Sequence, residues 1–213
     1  MIHLYIITIS SMMFIYNINF YYQDNEKKAI QVLDKMSDYY KKMKSFSSTF
    51  KYAMINLEED IEDSFEGKIV VKDEKYVLKI EGQEIINDGK TIWTYLPELN
   101  EVNISLFEPE NQEISLNNIF EIYKSGFNLN YLEEGDSRYH TVELYPQDDS
   151  KTYYKIRILI NKTDISMYNF SVFDRHNTIY IYTIDEFKEE KYGDDFFSFD
   201  LTKYPDIEVV DFR

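Results

Sequence analysis

The chain has 213 residues, with 20 Tyr and 15 Phe against only 6 Gly and 4 Pro, a balance that favours β structure over disorder in a chain long enough to bury a core unaided. It has no cysteine, which excludes disulfides, thiolate metal sites, catalytic thiols and lipid attachment to an N-terminal cysteine. The formal charge of −16 repels a phosphate backbone and argues against nucleic acid as a partner.

Residues 1–23, MIHLYIITISSMMFIYNINFYYQ, are apolar and carry no Asp, Glu, Lys or Arg, and Asp24-Asn25-Glu26-Lys27-Lys28 follows at once. This reads as an exported N-terminus with a signal peptide over 1–23, although only His3 stands in for a basic n-region and no small-x-small cleavage site is present. The competing reading is a retained anchor; a span needs about 20 apolar residues, and Asn17 and Asn19 interrupt the run. From Glu26 to Phe46 the apolar positions Ala29, Val32, Leu33, Met36, Tyr39, Tyr40, Met43 and Phe46 recur at three and four residues, predicting one amphipathic helix of about five turns.

Period two then takes over. Phe50, Tyr52 and Met54 alternate, an acidic connector leads into SFEGKIVVK, and Tyr76, Leu78 and Ile80 share one face of the next run. Asp88-Gly89 predicts a two-residue hairpin turn pairing Ile85 and Ile86 with Thr91 to Leu96. In that strand Thr91, Trp93 and Tyr95 share one face while Ile92, Thr94 and Leu96 share the other. Both faces are largely apolar, so both need cover, from a second layer or from something that is not protein.

Val102, Ile104 and Leu106 alternate next, and Ser115 to Gly126 predicts a helix of about three turns with Leu116, Ile119, Phe120 and Tyr123 on one side. Strands are predicted at Phe127–Leu132, Tyr139–Tyr145, Tyr153–Asn161, Ile165–Phe173 and Thr178–Ile184, and a short last one within Asp194–Phe199. The sum is about eleven strands and two helices with short turns, hence one domain over 24–213 built on a curved antiparallel sheet rather than βαβ units.

Chemistry-bearing patterns are sparse. His3, His140 and His176 are scattered, and neither a metal-ligand spacing nor a GxSxG, P-loop or GxGxxG motif is present. Acidic runs such as Glu58-Glu59-Asp60 and Glu133-Glu134 fall at turns, where charge is solvated. No catalytic residue, metal or cofactor is expected. A curved sheet with more apolar surface than its helices can hide points to an apolar ligand.

The order of features resembles the LolA family of outer-membrane lipoprotein carriers. The residues that carry the likeness are Lys44-Ser45-Phe46-Ser47-Ser48-Thr49-Phe50 at the end of the first helix, Phe65-Glu66-Gly67-Lys68-Ile69, and Asn87-Asp88-Gly89-Lys90-Thr91-Ile92-Trp93-Thr94-Tyr95 before Leu96-Pro97. They continue with an Asn-x-x-Asp turn after Ile158, Phe173-Asp174, and Phe196-Phe197-Ser198-Phe199. The resemblance implies an unclosed antiparallel β-barrel with a helical lid over a cavity for lipoprotein acyl chains. It also implies a periplasmic monomer that receives acylated lipoproteins from an inner-membrane ABC exporter and passes them to an outer-membrane receptor or the membrane itself.

Where well-known members carry an arginine at the barrel mouth, this chain reads Val71-Lys72-Asp73-Glu74-Lys75, with Asp73 at that position and Lys72 or Lys75 as substitutes. Alternation assigns Phe50, Tyr52, Leu78, Ile80, Trp93, Tyr95, Ile104, Leu106, Ile156, Ile158, Phe170 and Val172 to the cavity, with Ile119, Phe120 and Tyr123 on the lid; a single bulge reverses such an assignment. Three other readings stay open. One is an envelope-stress regulator on the same fold, which would use a second domain, and another is a carrier of a different lipid. The third, a lipid hydrolase, is disfavoured by the missing nucleophile motif.

Overall fold

The computed structural model describes residues 24–56, 58–108, 119–133 and 137–213; the expected signal over 1–23 lies outside them. Helix α1 spans residues 24–41 and buries Ala29, Val32, Leu33, Met36 and Tyr40, the stripe its spacing predicts. The expected helix runs on to Phe46, but Phe46 instead opens strand β1 (Phe46–Asn56). The cause is the serine cluster, whose hydroxyls compete with helical hydrogen bonding. Ser45 Oγ donates to the Glu190 carbonyl, Ser48 Oγ to the Glu186 carbonyl at 2.9 Å, and Ser47 Oγ to Glu190 Oε2 at 2.9 Å.

The remaining strands are β2 (Ile61–Lys72), β3 (Lys75–Ile80), β4 (Gln83–Asn87), β5 (Thr91–Leu96) and β6 (Glu101–Leu106), then β7 (Phe127–Leu132), β8 (Tyr139–Pro146), β9 (Tyr153–Asn161), β10 (Met167–Asp174), β11 (Thr178–Glu189) and β12 (Glu208–Asp211). They form one twelve-stranded sheet in the order β12-β6-β5-β4-β3-β2-β1-β11-β10-β9-β8-β7. Two hairpin meanders are thus joined at its centre by antiparallel pairing of β1 with β11. β7 and β12 end the sheet without pairing to each other, so it curls without closing.

Three expectations are corrected. The sheet, twelve strands where about eleven are expected, is not wholly antiparallel, because β12 pairs parallel with β6. The last strand is Glu208–Asp211, whereas Asp194–Phe197 is a 3-10 turn. The hairpin turn sits one residue later than expected: Asp88 N–H donates to the Thr91 carbonyl at 3.2 Å, leaving Gly89 (φ 90°) and Lys90 central. The Asp88 carboxylate accepts from Lys90 and Thr91 N–H at 2.8 and 2.7 Å, which fixes that choice.

The lid helix expected over Ser115–Gly126 falls partly outside the described residues. Its described part is a turn followed by a 3-10 turn, Ile122–Lys124.

A cavity on the concave face

The register assigns the faces. Leu78 pairs with Ile85 and Ile85 with Thr94, whereas Val77 pairs with Ile86 and Ile86 with Trp93. Directly paired residues point to the same side of a sheet, so the Leu78 and Trp93 rows face opposite ways. The Leu78 row, with Phe46 and Phe50 of β1 and Ile69 and Val71 of β2, packs into the core beneath α1.

On this concave side α1 fills one half of the trough. The Tyr40 hydroxyl accepts from Met167 N–H at 3.0 Å, and Lys28 reaches Glu133 at 2.8 Å and lies over the Tyr131 ring. Burial pushes the Tyr40 phenol far above its ordinary range. Under the helix, Leu33, Met36, Leu144, Ile156, Ile158 and Ile160 are fully enclosed.

The other half, over β1–β3, β10 and β11, is hollow. There a cavity of about 840 Å³ is walled by Phe50, Ile69, Leu78, Phe170, Tyr182 and Ile184, among others. At one end it meets Tyr40, Phe46, Phe120 and Phe187, with Phe120 stacked on Tyr40 at 3.8 Å between ring centres. At the other end are Asp174, His176 and Thr152. Gly67 is what lets Phe50 lie flat against the wall: a Cβ there would stand 2.5 Å from Phe50 Cζ.

Of the twelve residues assigned to the cavity from sequence, Phe50, Leu78, Ile80, Phe170 and Val172 line it. Tyr52 lies beside it, its ring 4.5 Å from Phe65 and 5.2 Å from Tyr182, with burial pushing its phenol up to about 12. Ile156 and Ile158 share the concave core but sit in its filled half. Trp93, Tyr95, Ile104 and Leu106 point the other way: Trp93 pairs with Ile104 and Thr91 with Leu106, on the face opposite Leu78. On the lid, Ile119 and Phe120 line the cavity, while the Tyr123 hydroxyl donates to Asp34 Oδ1 at 2.6 Å and so ties this segment to α1.

Sequence reasoning missed Tyr180, Tyr182 and Ile184 of β11 and Phe65, Ile69 and Val71 of β2. Alternation within each strand was the available signal.

The convex face has its own layer. After β11 the chain crosses the backs of β2–β6, and Phe197 and Phe199, helped by Tyr192, Tyr204 and Ile207, enclose Val70, Val77, Ile86 and Val102 and pack on Trp93 and Tyr95. This strap is pinned by Lys72 and Lys75, each 2.9 Å from Asp194 Oδ1, with Lys72 also donating to the Tyr192 carbonyl at 3.1 Å. The two lysines considered as mouth residues therefore serve the strap. Asp73, between them, is an exposed turn residue with φ 51°. Hydrogen bonds from Lys75 and Lys72 hold the Asp194 carboxyl down at about 2.

Beyond the strap the convex face carries a buried ion-pair network. Buried Glu143 accepts from Arg157 at 2.7 Å, lies 3.2 Å from Lys155 and takes a hydrogen bond from Tyr145. Burial alone would raise this carboxyl, but the three donors outweigh it and hold it below the usual range. Among the described residues no group of His, Asp and Glu is arranged to hold a metal ion, and no helix is long and apolar enough to cross a membrane.

A family model described as outer membrane lipoprotein carrier protein LolA matches residues 77–200, more than half of the chain. No curated protein sequence matches. Among solved structures, an uncharacterised conserved protein from Thermus thermophilus is similar at TM-score 0.57 and 14% identity, over 86% of this chain and 99% of its own. A DUF1329 family protein from Desulfovibrio piger is similar at TM-score 0.51 and 10% identity, over 82% and 97%. A LolA superfamily protein from Nitrosomonas europaea aligns at TM-score 0.45 and 15% identity, over 80% and 97%. At such identities the first two likenesses concern the fold alone.

Proposed function

The chain belongs to the LolA family, and on that premise we propose that it is a carrier, not an enzyme, which takes the acyl chains of lipoproteins into the concave cavity and moves them across the periplasm to the outer membrane. In this reading residues 1–23 are the export signal. An inner-membrane ABC exporter supplies the cargo, and an outer-membrane receptor or the membrane itself accepts it. The observation that carries the reading is the cavity: about 840 Å³, lined mainly by aromatic and aliphatic side chains, within the ~300–1,000 Å³ typical of ligand sites.

Release sets the constraint. Burying a methylene is worth about 0.8 kcal/mol, so wholly enclosing a ~16-carbon chain approaches ~13 kcal/mol and would make delivery too slow. A carrier must give something up on loading. Here the Phe120 ring, stacked on Tyr40 at the cavity's end, trades its own contacts for those of the acyl chain, and the exchange lowers the net affinity.

Calorimetric titration with a triacylated lipopeptide tests this. Saturable binding at one site is expected, abolished by Val172→Trp, which fills the hollow. No binding to the natural chain, or undiminished binding to the filled variant, would refute it.

A further inference from the structure

We propose that the β10–β11 turn is the head-group end of the cavity, and that it selects cargo whose polar head donates hydrogen bonds, an ammonium or hydroxyl head over a bare anion. The inference rests on the carrier reading and adds to it an orientation and a ligand class.

The cavity is polarised along its length. Phe187 lies near the far end of β11 and His176 in the turn that precedes its first residue, Thr178, so about 30 Å of extended strand separates the two ends. The Phe187 end is closed by Tyr40, Phe46 and Phe120, and the His176 end carries Asp174 and Thr152. The described lining has this one carboxylate, this one imidazole and no lysine or arginine. A polar head buried at the aromatic end would lose its hydrogen bonds to water, whereas a head at the turn keeps polar partners while its tail runs inward along the apolar wall.

The two oxygens of Asp174 do different things. Oδ1 accepts from His176 and Thr178 N–H, both at 2.8 Å, and so shapes the turn. Among the described residues Oδ2 has only a long contact, 3.4 Å, from the Tyr180 hydroxyl, and Tyr180 is itself part of the wall. The neighbouring cation is directed elsewhere, with Arg175 Nε donating to the Lys151 carbonyl at 2.9 Å and its guanidinium 4.0 Å from Asp149. The backbone joins the group, since Arg175 N–H donates to the Thr152 carbonyl at 3.0 Å. A head placed here meets one group that only accepts, the Asp174 carboxylate, beside the Thr152 hydroxyl and the His176 imidazole, which donate or accept. A donor head gains a charge-assisted hydrogen bond, whereas an anionic head is desolvated beside a like charge with no cation in the described wall to offset it.

The test is displacement of a fluorescent fatty-acyl probe from the full chain, lacking only its signal, by three ligands with the same twelve-carbon tail: dodecylammonium, dodecanol and dodecanoate. The two donor heads should displace the probe at concentrations about tenfold below dodecanoate. Asp174→Asn keeps an acceptor for the turn but removes the charge, and should shrink the dodecylammonium advantage to about twofold. Glu98→Gln, on the β5–β6 turn, controls for net charge and should leave the gap intact. His176→Lys, at an exposed position, should favour dodecanoate and keeps the test decisive if the Asp174 variant does not fold. Equal displacement by all three heads, or a gap unchanged in both turn variants, overturns the head-group assignment alone. Failure of the probe to bind at all overturns the carrier reading and this inference with it.

Discussion

The two faces of the β1–β5 region are both apolar, yet one is filled by the protein's own chain and the other is left hollow. On the convex side Phe197 is fully enclosed among Val70, Val77, Ile86 and Val102. On the concave side Phe50, Tyr182 and Phe187 face a space of about 840 Å³. The contrast teaches that an apolar row does not announce its partner. A row covered in cis contributes to stability, whereas a row left uncovered within a rigid sheet is available to a ligand.

The largest effect that sharpens this contrast belongs to the filled side. Phe197→Ala should destabilise the fold by about 3–5 kcal/mol in denaturant titration, because it leaves a void among well-packed neighbours. Acyl binding should persist wherever the variant is folded. Phe187→Ala, on the hollow side, should lose less, about 1–2 kcal/mol, since its half-buried ring packs on Tyr40 and Phe46 but borders the cavity on its other side and forfeits fewer contacts, while acyl affinity falls about tenfold. Equal losses from the two variants would mean that the hollow is packed after all.

A smaller effect is expected at Gly67. Its missing Cβ accommodates Phe50, so Gly67→Val drives the ring inward. Acyl capacity should drop at a stability cost of about 1–3 kcal/mol.

The smallest effect concerns pH and the strap. The folded Asp194 carboxyl titrates at about 2, below its usual 3.8. Its ion pairs with Lys72 and Lys75 are therefore fully present above about pH 4 and are lost as the pH falls toward about 2. Trp93 lies under the strap, so its emission should shift to the red across that window, whereas Asp194→Asn, which has no carboxyl to titrate, should show the red-shifted emission already at neutral pH and no step in that window. Trp93 should stay silent when an acyl ligand enters the concave side. A large Trp93 response to ligand would break the separation of the faces.

Much of this was legible in the sequence. The stripe from Ala29 to Tyr40 marked α1, the alternation in β1–β6 and β7–β11 marked the meanders, and Asp88-Gly89 marked the hairpin to within one residue. What alternation does not carry is a sign. It groups Trp93 with Ile104 and Leu78 with Ile80 but does not say which pair meets the cavity, because that depends on how the whole sheet curls. The strap was illegible for a related reason. Phe196-Phe197-Ser198-Phe199 has the composition of a strand, yet Phe197 reaches inward from a 3-10 turn and Phe199 from the segment after it, while Phe196 stays exposed, and the parallel pairing of Glu208–Asp211 with β6 rests on four residues. The serine run at 45–48 ended the helix through hydrogen bonds to Glu186 and Glu190, partners far along the chain.

The central claim is that hydrocarbon enters the concave hollow and nowhere else on the sheet. Photo-crosslinking with a lipopeptide bearing a diazirine on its acyl chain, followed by mapping of the modified residues, tests it most directly. Labels should fall on Phe50, Tyr182, Ile184 and Phe187, with none on Trp93, Tyr95 or Phe199. Labelling concentrated on the Trp93 face would contradict the account.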